Sequence, residues 1–173
     1  MQALLTNGND LYVAGDFKSI GGIAANGIAR YNMTTNQWST LGANTGIGGN
    51  GVSGSARALA IVGNELFVGG NFLRAYNATG NGISANCIAR WNLQTNTWSP
   101  LGTGDGMGTN GTNGDVNALA VINGAVFVGG NFLKVFNSAN TNLDAYGLAR
   151  WSSGQWTTVG RGARRARPNA CKS

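Results

Sequence analysis

The sequence predicts an all-β protein made of four-stranded antiparallel sheets, repeated three times along 173 residues. Three observations predict it. Four landmark segments recur in the same order in three copies, and Arg30, Arg90 and Arg150 mark them at intervals of 60 residues. Each landmark is short, rich in Val, Ile, Leu and aromatics, and bounded by Asn, Gly, Thr or Ser, as short strands and hairpins are. The composition suits tight turns: 29 residues are glycine, and only 10% are charged against roughly 25% in typical globular chains. Gly and Asn supply the positive φ angles that such turns demand. One small sheet cannot bury both of its faces, so sheets at a fixed period must stack, and the expected architecture is a β-propeller.

The four strands, a to d, follow in order. Strand a is read from QALLTNG, RALAIVG and NALAVIN. Its small Ala58, Ala60, Ala118 and Ala120 suit the innermost position, where blades crowd toward the axis. Strand b is DLYVAGDF from Asp10, ELFVGGNF from Glu65 and AVFVGGNF from Ala125, reached through turns such as Gly63-Asn64 and Asn123-Gly124. Its glycines let the backbone bend where a side chain would strike the adjacent sheet. Strand c carries Ala29-Arg30-Tyr31, Ala89-Arg90-Trp91 and Ala149-Arg150-Trp151. Strand d carries Trp38, Trp98 and Trp156, bulky residues where blades splay apart. Blade 1 is assigned to residues 1–42, blade 2 to 43–102 and blade 3 to 103–160, leaving a basic tail at 161–173.

The glycine pairs Gly69-Gly70 and Gly129-Gly130, the aromatics Trp91 and Trp151, and the turn-following Trp98 and Trp156 together resemble the kelch repeat. In that repeat the glycine pair ends strand b, the aromatic lies on strand c and the tryptophan on strand d. The unit is also similar to a longer, Asn- and Gly-rich variety of large secreted or surface-attached microbial proteins and of fungal cortical markers of bud sites. Three features depart from the pattern. The period is 60 rather than about 50, Ala14-Gly15 replaces the first glycine pair, and three blades fall short of the ~4–8 that close a propeller. A homodimer completing a six-bladed ring is the expected partner arrangement.

Five of the six net positive charges lie in the tail: Arg161, Arg164, Arg165, Arg167 and Lys172 all fall after residue 160, while the body carries seven basic and six acidic groups. Any nucleic-acid affinity is therefore expected from the tail alone, which also reads as disordered or as non-native sequence. No segment has the ~18 or more apolar residues of a membrane span, and no signal peptide opens the chain. Cys87 and Cys171 lack CxxC spacing and imply no compartment. The resemblance implies a secreted or cell-surface parent protein, of which this chain would be a fragment.

Function is expected where the copies differ. In an antiparallel a-b-c-d blade the b–c and d–a connections emerge on one face, and here they are long, whereas the a–b and c–d turns on the other face are two or three residues. Long connections on a rigid scaffold are the usual place for binding. Arg74, Tyr76, Lys134, Phe136, Asp144 and Tyr146 supply the aromatic and charged groups that recognition uses, for a protein or glycan ligand. The recurring Arg30, Arg90 and Arg150 read as structural donors. Asp105 and Asp115 flank a loop similar to calcium loops but without their spaced carboxylates, so no metal or cofactor is expected. With no histidine and six carboxylates in all, a non-enzymatic binding or scaffold module is the leading reading. The alternative is a hydrolase acting at the loop face or central channel with Cys87, at the start of strand c, as nucleophile.

Overall fold

The computed structural model describes residues 1–42, 50–77, 82–104, 108–138 and 140–160. The expected tail at 161–173 and Asp105 lie outside them.

Blade 1 runs β1 (Ala3–Asn7), β2 (Asp10–Ala14), a hairpin of β3 (Ser19–Ile20) and β4 (Ile23–Ala24), then β5 (Ile28–Asn32) and β6 (Gln37–Thr40). Its sheet order is β1-β2-β5-β6, antiparallel throughout. Blade 2 repeats it with β7 (Ser55–Val62), β8 (Glu65–Asn71), the pair β9 (Arg74–Ala75) and β10 (Ile83–Ser84), β11 (Ile88–Asn92) and β12 (Thr97–Pro100). Before blade 3 comes β13 (Gly111–Thr112). The blade then follows as β14 (Asp115–Ile122), β15 (Ala125–Asn131), β16 (Lys134–Ser138), β17 (Thr141–Asp144), β18 (Leu148–Ser152) and β19 (Gln155–Thr158). Among the described residues every regular element is a strand, as predicted, and each blade is the four-stranded a-b-c-d sheet.

The turns obey the residue chemistry. Gly8, Gly63, Asn123 and Gly124 take positive φ between strands a and b, as do Asn36, Asn96 and Ser153 between c and d. The Asn32 and Asn92 carboxamide oxygens each accept two backbone N–H groups at the start of the c–d turns, which are four residues long in blades 1 and 2 rather than three. The long b–c connections are not open loops. Each folds into a hairpin, and in blade 3 the hairpin takes β13 from the d–a connection as a third strand.

The core is two seams, one between each pair of neighbouring blades. Tyr12, Ala14 and Ile28 of blade 1 meet Ala56, Leu66, Val68, Trp91 and Trp98 of blade 2. On the other side Ala60 and Phe67 of blade 2 meet Val116, Val126, Val128, Trp151 and Trp156 of blade 3. In each blade a cross-strand aromatic pair, Trp91–Trp98 and Trp151–Trp156, has ring centroids 5.2 Å apart. The indole N–H reaches back across the seam: Trp98 Nε1 donates to Leu41 O at 3.1 Å and Trp156 Nε1 to Leu101 O at 3.3 Å. At roughly 25 cal/mol per Å², burying ~150 Å² or more of each indole contributes on the order of 4 kcal/mol to its seam.

Candidate functional site

The face carrying the b–c hairpins is tied to the blades by a repeated asparagine clasp. Asn26 N–H donates to Asn50 Oδ1 at 3.0 Å, and Asn26 Nδ2 to Asn50 O at 3.1 Å. One repeat later Asn86 N–H and Nδ2 make the same bonds to Asn110 Oδ1 and O, each 3.1 Å. All four side chains are buried. Because Asn50 and Asn110 sit in the d–a connection, each clasp fastens one blade's hairpin to the strand leading into the next. A buried amide without partners costs about 1–3 kcal/mol, so the hairpin layer and the ring of blades hold each other in place. Sequence reasoning passed over these residues, although Asn26/Asn86 and Asn50/Asn110 each recur at 60.

A second device aims the hairpins. Ser53 Oγ accepts the backbone N–H of Leu73 and Arg74 at 3.0 and 3.1 Å, and Asn113 Oδ1 accepts those of Leu133 and Lys134, both at 2.8 Å. The same corner is thus built twice, and it presents Leu73 at 51% exposure and Leu133 at 57%. These leucines were not among the predicted binding residues. Their signal was the repeat position shared with each other and occupied by Lys18 in blade 1.

The predicted residues divide. Arg74 is exposed and donates from Nη1 to Gly82 O at 2.9 Å, beside a cleft of about 300 Å³ lined also by Ile83, Ser84 and Pro100. Lys134 and Asp144 pair across the β16–β17 hairpin at 2.6 Å, with Asn142 Oδ1 also accepting from Lys134 Nζ at 3.0 Å. Tyr76 and Tyr146 are half-buried, Tyr146 with a positive φ of 46°. Phe136 is buried and supports its hairpin from beneath rather than offering a ring to solvent.

Cys87 lies at the start of strand c, buried, with a φ of 61° where the other copies have Gly27 and Gly147. Burial pushes its thiol above the ordinary 9.0; the backbone of Phe72 pulls it down, and nearby Asp115 pushes it up again. Burial and a raised pKa both oppose a thiolate nucleophile.

Several of the remaining ionic groups are engaged with one another. Asp115 accepts Arg57 Nη1 at 2.7 Å on one oxygen and Asn71 Nδ2 at 2.6 Å on the other. Arg57 reaches it from the bulge between Ala56 and Ala58, which turns its side chain out of the strand alternation toward blade 3. Arg30 donates from Nε to Ser39 Oγ at 3.0 Å and lies 3.7 Å from Asp10, and Arg90 lies 3.1 Å from Glu65. For Arg150, Ala125 stands where those acids do, and no acidic partner is found among the described residues. Among those residues no group of three His, Cys, Asp or Glu is placed to hold a metal ion, and no helix is long and apolar enough to cross a membrane.

Among solved structures the chain is similar to YjhT, at 15% identity and a TM-score of 0.47, the match covering 92% of this chain and 51% of that one. The chain thus spans about half the length of that protein. No curated protein matches it. The family described as the Rax2 C-terminal beta propeller domain matches residues 3–160. A match of that extent, to a chain of three stacked four-stranded blades, places this protein in the Rax2 C-terminal beta propeller domain family.

Proposed function

We propose that this domain is a non-enzymatic binding module of a longer secreted or surface protein, and that it takes a protein or glycan ligand on the hairpin face. One observation carries the reading. Neighbouring blades present the same pair, Leu73-Arg74 and Leu133-Lys134, with both leucines exposed and each pair held by a side chain of the preceding d–a connection. A leucine more than half exposed yet fixed by two backbone hydrogen bonds loses little entropy on contact, which favours recognition. Arg74 and Lys134 add charge at the rim, where it steers encounter and selects partners.

The test is a panel of immobilised cell-wall glycans and extracellular proteins, probed with wild type and with Leu73→Ser/Leu133→Ser. Binding that falls at least tenfold in the double variant, and is kept when Thr34 and Thr95 on the opposite face are changed to Ala, supports the hairpin face. Binding indifferent to the leucines sinks it. Ester, glycoside and phosphoester substrates are run in parallel with Cys87→Ala, and turnover that depends on Cys87 would restore the hydrolase.

A further inference from the structure

The chain contains three Asn-x-Thr triplets in which x is not proline, the pattern that accepts an N-linked glycan: Asn32-Met33-Thr34, Asn77-Ala78-Thr79 and Asn110-Gly111-Thr112. The fold treats the three asparagines differently. Asn110 is fully buried and both hydrogens of its carboxamide are used, Nδ2 donating to Ser84 O at 3.1 Å and to Gly104 O at 2.6 Å. No sugar fits on that nitrogen. Asn77 bridges the outer edge of strand d. Its Oδ1 accepts the Trp98 N–H at 2.6 Å and its Nδ2 donates to Trp98 O at 3.2 Å, and Asn137 makes the same pair of bonds to Trp156 in blade 3. A sugar on Asn77 would stand between the hairpin layer and the strand it is tied to.

Asn32 is placed otherwise. It ends strand c of blade 1 and opens the c–d turn, on the face opposite the hairpins. Met33 is 47% exposed, and Thr34, Thr35 and Asn36 are exposed as well. The Asn32 carboxamide oxygen accepts the N–H of Thr34 at 3.1 Å and of Thr35 at 3.0 Å, while the nitrogen makes one bond among the described residues, to Asp10 Oδ1 at 2.7 Å. One amide hydrogen is left over. Thr35 Oγ1 donates to Asn32 Oδ1 at 3.2 Å, whereas the Thr34 hydroxyl makes no hydrogen bond among those residues. Blade 2 shows what the turn itself requires. There Asn92 Oδ1 accepts the N–H of Gln94 and of Thr95, both at 2.9 Å, with glutamine where blade 1 has Thr34. The turn needs an asparagine and a backbone N–H two residues on, in the manner of an Asx-turn, and no hydroxyl at that point. Thr34 thus completes the acceptor pattern without serving the fold.

We propose that Asn32 is the N-glycosylation site of this domain, a proposal that rests on the reading of the parent as a secreted or surface protein. In the transfer, Asn32 Nδ2 bonds to C1 of the first sugar of a lipid-linked oligosaccharide diphosphate. The bond from C1 to the phosphate oxygen breaks, the lipid diphosphate leaves, and the nitrogen gives up one proton. The remaining N–H keeps its bond to Asp10, and Oδ1 keeps the two N–H groups of the turn, so the blade carries the modification without rearranging. The bulky, hydrated glycan then covers the short-turn face beside blade 1 and leaves the hairpin face, with Leu73 and Leu133, open to ligand.

The test is expression of the full chain in yeast behind a cleavable secretion leader, read by endoglycosidase sensitivity and by peptide mass spectrometry on the chain inside the secretory route and in the medium. One glycan is expected, on Asn32. Thr34→Ala removes it while keeping the hydrogen bonds of the turn, Thr34→Ser retains it, and Thr79→Ala leaves it unchanged. A wild-type chain with no endoglycosidase-sensitive mass, or a glycan that survives Thr34→Ala, overturns the assignment. The leader supplies the route whatever the compartment of the parent, and the readout uses no ligand, so failure here and failure of the hairpin-face reading are separate results.

Discussion

At Cys87 the backbone conformation calls for glycine and the sequence supplies a thiol. Its φ of 61° matches Gly27 at 67° and Gly147 at 87°, a region that costs an L-residue about 1–2 kcal/mol. The buried side chain recovers a similar amount by removal from water. Cys87→Gly is therefore expected to leave the urea midpoint within about 1 kcal/mol of wild type. Cys87→Val, β-branched in the left-handed region, should lose about 3 kcal/mol. The thiol also sets an alkaline limit. Its pKa is raised on folding, so its contribution is complete below the ordinary 9.0 and fades as pH rises, since the unfolded chain ionises first. Tyr12, raised chiefly by burial from 10.0, extends the loss upward. Melting between pH 8 and 11 should decline less steeply for Cys87→Gly, and identical slopes would dismiss the thiol as a source. The sequence made Cys87 conspicuous because it differed from its copies, but burial, which decides its chemistry, is not written in residue identity. The clasp of Asn86 and Asn110 shows the converse: its residues look like ordinary loop asparagines until the fold brings positions 24 apart into contact.

Strands a to d were legible because alternating apolar residues between turn formers fix them locally, and three copies printed the pattern three times. The hairpins β3–β4, β9–β10 and β16–β17 were not, since two to five residues per strand leave no periodicity to read, and the first two are held by clasps from the next connection. The meaning of each strand b glycine was legible only in part. Gly69 and Gly129 occupy the same register, opposite Ala58 and Ala118, and look interchangeable in sequence. Their surroundings differ. Gly69→Ala drives a methyl into Val116 Cγ1, and Val116 is fully buried and β-branched, so it cannot swing aside. Overpacking of this kind costs about 1–3 kcal/mol. Gly129→Ala meets no side chain closer than 3.7 Å and should be neutral or slightly stabilising. Equal losses for the two substitutions in chemical denaturation would show that blade stacking does not set the glycine requirement.

Across the whole molecule, stability in stacked repeats is close to a sum of each repeat's own stability and its neighbour contacts. Blade 2 has two seams; blades 1 and 3 have one each within the chain. The unevenness falls on equivalent strands: β7 is covered at Ala56, Ala58 and Ala60, while β14 leaves Asn117, Ala118, Ala120, Val121 and Ile122 exposed. Strand openings with fewer buried neighbours require less free energy, and amide hydrogen exchange reads that directly. Amides of β7 and β8 are expected to exchange at least tenfold more slowly than those of β14 and β15, although the sheets share the same pairings and bulge. Uniform protection would mean that each blade holds itself together and the seams add little.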